Sequence, residues 1–357
     1  MNKKVLVAMS GGVDSAVAAL LMRDRGYDVM GVTMKLLTEY ADPDPGSRTC
    51  CSADDAEDAA SVARSLGIPH YTFNFTDGFR ETVVERFVRD YEAGRTPNPC
   101  VLCNRYMKFE RLFERARALG CEKIVTGHYA RTEKDPGTGR YLLRKALDPA
   151  KDQSYVLWSL TQEQLASTVF PLGELSKSEV RRIAAEHGFV NAEKRESQDI
   201  CFVPDGDYAG FIERYTGKTY PPGEFVGTDG RVMGEHRGII RYTVGMRKGL
   251  GLALPEPAYV CRIDVPNNRV ILGKSEDLFT DTLEAEEVNL ISVDRIDGPL
   301  RVKAKIRYRQ PEQWATVTPA GEGRIKVTFD TPQRAITPGQ SVVLYDGDAV
   351  LGGGIIV

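Results

Sequence analysis

The chain contains no run of about 18 apolar residues, the length that a membrane-crossing helix needs. Its opening, MNKKVLVAMSGG, turns into a glycine loop before the apolar core of a signal peptide could form. No membrane partner is therefore expected, and the expected location is cytoplasmic. The four histidines, His70, His128, His187 and His236, are scattered and form no ligand cluster in sequence. Internal repeats and low-complexity linkers are absent as well. The net charge is −3, so no general cationic excess points to nucleic acid, and local patches must decide that question. In a cytoplasmic chain the seven cysteines read as thiols, metal ligands or catalytic groups, not as structural disulfides.

What is present is a soluble globular composition, 42% apolar and 27% charged, in 357 residues, enough for more than one core. Short apolar strands alternate with helical patterns: 3–9, then Asp14–Arg25, Tyr27–Met34, Ala53–Leu66, His70–Phe75, Gly78–Tyr91, Lys108–Leu119 and Lys123–Gly127. That alternation predicts right-handed βαβ units and a doubly wound α/β parallel sheet, with ligand at the carboxyl ends of its strands. Helices are expected over Ser154–Thr168 and Ser176–His187. Beyond about residue 205 glycine and proline become frequent. Strands are expected at Gly238–Val244, Tyr259–Val265, Arg269–Leu272, Arg301–Tyr308, Arg324–Phe329 and Ser341–Tyr345, the later ones forming a small β-barrel.

The first chemical motif is SGGVDS, Ser10 to Ser15, between the first strand and the first helix. Paired glycines let backbone amides approach an anion, the helix N-terminus adds its positive dipole end, and the serines supply donors. Asp14 would repel phosphate unless a cation intervened, so it reads as a Mg²⁺ ligand. The loop has no Gly-Lys-Ser/Thr ending and is not a Walker loop. It resembles the pyrophosphate loop of the ATP pyrophosphatases, which split ATP between its α- and β-phosphates and adenylate an oxygen of the substrate. GMP, NAD and argininosuccinate synthetases share it with tRNA thiolation enzymes.

GRTPNPCVLCN at 94–104, ESQDICF at 196–202, KDQSY at 151–155, TGHYA at 126–130 and GQSVVLYDGDAVLGGGII near the end extend the resemblance. Together they resemble bacterial tRNA-specific 2-thiouridylases over essentially the whole chain. The resemblance implies an ATP pyrophosphatase domain at 1–205, a central domain at 206–278 and a tRNA-binding barrel at 279–357. It implies adenylation of the C2 oxygen of the wobble uridine in tRNAs for lysine, glutamate and glutamine, followed by replacement with sulfur. Ala8, Met9, Ser10, Gly11, Gly12, Val13, Asp14 and Ser15 would then hold the phosphates of ATP, and Met34 and Gly127 the adenosine. Cys103 would be the nucleophile and Cys201 the persulfide carrier. Asn98, Pro99, His128, Lys151, Asp152, Gln153, Arg307, Tyr308 and Gln340 would meet tRNA. The expected sulfur donor would be a cysteine desulfurase, a sulfur relay protein or free sulfide, a choice that the sequence leaves open. The chemistry fits: adenylation makes the uridine oxygen a good leaving group, and thiolates or persulfides are strong nucleophiles at neutral pH.

One residue departs from that family, in which many members carry aspartate at the position of Cys100. The result, Cys100-x-x-Cys103 with Cys201 distant, fits three ligands of a [4Fe–4S] cluster with one iron left open. Competing readings are a Cys100–Cys103 redox pair with Cys201 still the persulfide carrier, a zinc site completed by His128 or another cysteine, and a small buried replacement. Met246 stands where relatives usually show glutamine, in a stretch whose Arg247 and Lys248 form a second basic candidate. Cys50 and Cys51 sit in a Pro/Gly-rich loop, while Cys121 and Cys261 read as core residues. Arg301, Lys303, Lys305, Arg307 and Arg309 alternate with apolar residues and predict five cations on one strand face. They stand in a segment from 280 onward with nine basic and eleven acidic residues, so the charge is concentrated. Two other function classes compete: an ammonia-using ATP pyrophosphatase, and a protein that only binds tRNA.

Overall fold

The computed structural model describes residues 3–37, 53–194 and 200–357. Cys50, Cys51 and residues 196–199 of the ESQDICF motif lie outside the described residues. The strand Lys4–Ala8 pairs in parallel with Asp28–Lys35 on one side and Lys123–Val125 on the other. The complete sheet runs His70–Asn74, Asp28–Lys35, Lys4–Ala8, Lys123–Val125, Thr168–Val169. Val5 and Val7 share one core with the helices Val13–Asp24, Ala53–Leu66 and Lys177–Glu186. Leu6 points to the opposite core, built from the helices at 76–92 and 99–118 and from Tyr208–Thr216. Helices thus cover both faces of the sheet, as the near-continuous apolar strands require. Chain order reverses between Lys4–Ala8 and Lys123–Val125, and this switch point is where open α/β sheets bind ligands.

The central sheet is Tyr259–Asp264, Arg269–Gly273, Gly223–Gly227, Val232–His236, packed on its own small core around Phe225 and Tyr242. Six antiparallel strands close the barrel in the order Phe279–Leu290, Ile325–Arg334, Gln313–Pro319, Leu300–Lys305, Ser341–Asp346, Ala349–Ile356, the first pairing with the last. A hairpin from the first domain, Ala130–Lys134 and Tyr141–Lys145, joins this barrel sheet through Ala349 opposite Arg144.

Four expectations are corrected. Gly238–Val244 is not a strand but a short 3₁₀ turn, Ile239–Arg241, entered through Gly238 at a φ of 99°. Ser154–Thr168 is not one helix. It divides into a 3₁₀ turn, Ser154–Leu157, and a helix, Gln162–Ala166, because Thr161 and Gln164 form a capping box that starts the helix afresh. The helix expected from Lys108 begins at Pro99 with Asn98 as its cap, and continues through a π-helical stretch, Cys103–Arg111, into Leu112–Ala118. The cationic strand ends at Lys305, so Arg307 and Arg309 are not on its face.

Candidate active site

The SGGVDS loop leaves the carboxyl end of Lys4–Ala8 and enters the helix Val13–Asp24 through Gly12. Gly11 has a φ of 71°, and a Cβ there would lie 2.3 Å from the carbonyl oxygen of Asp55. The loop is shaped from within: the Ser15 hydroxyl donates to the Gly12 carbonyl at 3.0 Å and accepts from the Ser10 amide at 3.2 Å. Ser15, expected as a phosphate donor, thus spends its hydrogen on the loop, while Ser10 is exposed. Gly127, after the neighbouring strand, lies so close that a Cβ would be 2.8 Å from the Asp14 carbonyl carbon and the Ser15 nitrogen. Met9 and Met34 are buried beside the loop and Ala8 is half-buried. The Asn191 amide donates to the Gly11 carbonyl at 2.9 Å, and its buried side-chain oxygen has no hydrogen-bond partner among the described residues.

Three side chains that the sequence did not announce complete this end of the sheet. Lys177 is 9% exposed and donates to both carboxylate oxygens of Asp14, at 2.7 and 2.8 Å. The Tyr129 hydroxyl donates to the same carboxylate at 2.7 Å. Lys194 binds Asp55 at 2.6 Å and Asp58 at 2.5 Å. Lys177 occupies the first turn of Lys177–Glu186, where the helix dipole disfavours a cation. Its position is accounted for by the anion that it meets. Both oxygens of Asp14 are engaged by Lys177, so a Mg²⁺ carried in on phosphates would reach that carboxylate only in exchange with the ammonium.

The cysteine motif occupies the start of the helix at 99–118. The Asn98 side chain accepts from the Cys100 amide at 3.2 Å, and Pro99 fills the first helical position, where its missing N–H costs nothing. Cys100 is exposed, whereas Cys103 and Cys201 are half-buried and pack on the same core. Cys103 opens the π-helical stretch, a distortion that recurs at functional sites. Among the described residues no group of three or more His, Cys, Asp or Glu side chains is placed to hold a metal ion. The expected three-cysteine cluster on Cys100, Cys103 and Cys201, and a zinc site completed by His128, are therefore not shown among the described residues.

Several residues expected at tRNA are engaged inside the protein. His128 is buried against Phe109 and Phe170 with Nδ1 2.8 Å from the Thr126 hydroxyl. Burial, and secondarily the Lys108 charge, hold its pKa well below the usual histidine value, so it is neutral at neutral pH. The Asp152 carboxylate accepts from the Ala146 and Ser154 amides, and Gln153 accepts from the Tyr129 amide at 2.9 Å. Arg307 donates to the Ala335 carbonyl at 2.7 Å, and Gln340 to the Thr96 carbonyl at 2.7 Å. Lys151 sits half-buried in a turn, and Tyr308 is exposed near Tyr155 and Lys305. On the barrel strand Arg301 pairs with Asp330, and Arg301 and Lys303 lie 5.0 and 5.3 Å from the ring of Trp314. Lys305 is half-buried, and desolvation lowers its pKa. The row of five surface cations is therefore reduced to a shorter basic and aromatic patch.

Comparison with known proteins accords with this arrangement. Residues 3–205 match the family described as tRNA methyl transferase HUP domain. Residues 209–274 match the tRNA methyl transferase PRC-barrel domain, and 280–356 the aminomethyltransferase beta-barrel domain. The tRNA-specific 2-thiouridylase MnmA of Clostridioides difficile is 51% identical over 358 residues, covering 100% of this chain and 98% of that protein. The protein of the same name from Acetivibrio thermocellus is 51% identical over 359 residues, covering 99% of each. That of Symbiobacterium thermophilum is 50% identical, covering 99% of this chain and 92% of its own length. With half of its residues shared across full length, the chain belongs to the tRNA-specific 2-thiouridylase family.

Proposed function

We propose that the chain is an ATP-dependent tRNA-uridine 2-sulfurtransferase. The observation that carries this reading is the meeting of a pyrophosphate-type loop with Lys177, Asp14 and Gly127 at the switch point of the sheet, in a chain that also presents a cysteine helix. The Gly11 and Gly12 amides and the N-terminus of Val13–Asp24 take the phosphates, and Lys177 leaves Asp14 to meet their charge. The C2 oxygen of the wobble uridine attacks the α-phosphorus and pyrophosphate leaves. No group of the protein is oxidised in that step. The terminal sulfur of a Cys201 persulfide then attacks C2, and AMP departs with the oxygen. The Cys103 thiolate attacks the Cys201 sulfur, breaking the S–S bond, which leaves the thiocarbonyl on the base and a Cys103–Cys201 disulfide. Cys100 lies three residues before Cys103, a spacing that places two side chains on one face of a helix. It displaces Cys201 from that disulfide, and an external dithiol reduces the Cys100–Cys103 pair. The substrate base must leave the anticodon stack, as base-modifying enzymes require. Arg301, Lys303 and half-exposed Trp314 on the barrel offer phosphate and ring contacts to the RNA.

The test uses anaerobically purified protein with a cysteine desulfurase, cysteine, ATP and tRNA. Iron-free protein should be active and acquire one extra sulfur atom on Cys201 by mass spectrometry. Cys100→Ser should complete its first turnover at the wild-type rate and then slow by about tenfold or more, because an attacking thiol is missing. Activity that tracks bound iron, lost with Cys100→Ser from the first turnover, would replace this reading by the three-cysteine cluster.

A further inference from the structure

Thr96, two residues before Asn98, is held from outside its own domain. The Thr96 amide donates to the Pro338 carbonyl at 2.8 Å, and its carbonyl accepts from the Gln340 side chain at 2.7 Å. Its hydroxyl donates to the Thr243 hydroxyl of the central domain at 3.1 Å. Between Pro338 and Gln340 only glycine fits: at Gly339, φ 90°, a Cβ would lie 2.9 Å from the Thr96 backbone. Gln340 is itself fixed, its amide bonded to Thr337 and its carbonyl to the Ile356 amide at the barrel's last strand.

A second barrel contact reaches the other side of the cysteines. Glu287 sits in a bulge of Phe279–Leu290 with a φ of 51°, a left-handed conformation that a glutamate rarely adopts. From there its carboxylate bonds Arg86 and lies 3.4 Å from Arg105, two residues past Cys103. Between these points Val101 of the C-x-x-C shares one apolar core with Val343, Tyr345 and Val350 of the barrel. The barrel thus bonds the cysteine segment before and after the motif and shares an apolar core with it in between.

We propose that Gln340 and Glu287 are positioning residues for the cysteine helix, and that Gln340 acts through Thr96 on Cys100 and Cys103. The proposal rests on the sulfur-transfer reading for its effect on turnover, but not for its effect on thiol access. A strap that fixes Thr96 fixes the entry of the chain into Asn98, and with it the cap that sets the first turn of the helix. Misplacement of a reacting group by an ångström is enough to cost orders of magnitude in rate, without any loss of substrate affinity.

The experiment compares Gln340→Ala and Glu287→Gln with wild type in three readouts: alkylation of Cys103 by iodoacetamide, tRNA affinity, and kcat against KM for thiolation. Cys103 should alkylate about fivefold faster in Gln340→Ala, the weight of one hydrogen bond in a local opening equilibrium. The dissociation constant for tRNA should stay within about twofold while kcat falls about tenfold, the signature of a displaced group and not of lost binding. Unchanged alkylation in both variants overturns the proposal whatever the activity does. So does a tenfold weaker tRNA affinity with kcat intact, which would make binding and not positioning the role of Gln340. Should Gln340→Ala fail to fold, Gln340→Glu keeps the size of the side chain and faces the Thr96 carbonyl with an acceptor. The same faster alkylation is expected of it.

Discussion

Replacing Lys177 by methionine is expected to lower ATP-dependent turnover by about 100-fold or more, the loss seen when one preorganised donor to developing charge is removed. The substitution keeps the length and apolar stem of a side chain that is 11% exposed and deletes only its ammonium. Two consequences separate. In the free protein the Asp14 carboxylate loses both of its Lys177 bonds and, among the described residues, keeps Tyr129. Loss of charged hydrogen bonds of this kind costs about 1.5–3 kcal/mol of stability. With nucleotide bound, the phosphates lose the cation nearest the loop. Adding Asp14→Asn to Lys177→Met should restore most of the stability, since the uncompensated carboxylate is gone, and should not restore turnover. Thermal denaturation and steady-state rates on the two variants check both halves. Turnover within threefold of wild type in Lys177→Met would remove the ammonium from the phosphate site.

The paired glycines of the loop should respond very differently to alanine. Gly11 stands at φ 71°, and its added Cβ would meet the Asp55 oxygen at 2.3 Å, the Asp55 Cα at 2.7 Å and its carbonyl carbon at 2.8 Å. Those are backbone atoms and cannot swing aside. The left-handed backbone adds about 1–2 kcal/mol and the overlap about 1–3 kcal/mol more. Moving the loop away from the helix Ala53–Leu66 would also strain the bond from Asn191 to the Gly11 carbonyl. Gly11→Ala should therefore be strongly destabilised and bind ATP weakly, by calorimetry and denaturant titration. At Gly12 the φ is −87° and the nearest atom to a new Cβ is the Ser10 hydroxyl at 3.6 Å. Gly12→Ala should lose less than about 1 kcal/mol, the scale of a helix N-cap change. Equal losses at the two positions would contradict the packing described for the loop.

The doubly wound sheet was legible because its signals are local. Val5-Leu6-Val7 is a short apolar run, Gly26, Gly67 and Gly120 each close a helix at positive φ, and the strands follow at once. SGGVDS and the C-x-x-C were legible because their chemistry lies in consecutive residues. Lys177 was not: it reaches Asp14 across 163 residues, and a lysine opening a helix reads in sequence as one more solvated cation. The tie between Thr96 and Gln340 spans 244 residues and likewise carries no local pattern. The cationic strand was overextended because a period of two continues in the letters through Arg309, while the chain turns after Lys305 and Arg307 aims at Ala335. The helix expected over Ser154–Thr168 was overextended for a different reason. Trp158 and Tyr155 are buried against Ser341 of the barrel, and this tertiary anchoring outweighs helical continuity until Thr161 starts a new cap.

In the proposed reaction ATP cleavage and sulfur transfer are coupled, and the most direct test is to count the products together. Labelled ATP, an unmodified tRNA bearing a wobble uridine, a cysteine desulfurase and cysteine are incubated with the protein. AMP and 2-thiouridine are then quantified in the same samples. The account predicts that the two accumulate in equal amounts, with pyrophosphate as the other product and neither formed by Asp14→Ala. ADP as the product, or 2-thiouridine appearing without ATP cleavage, would contradict it.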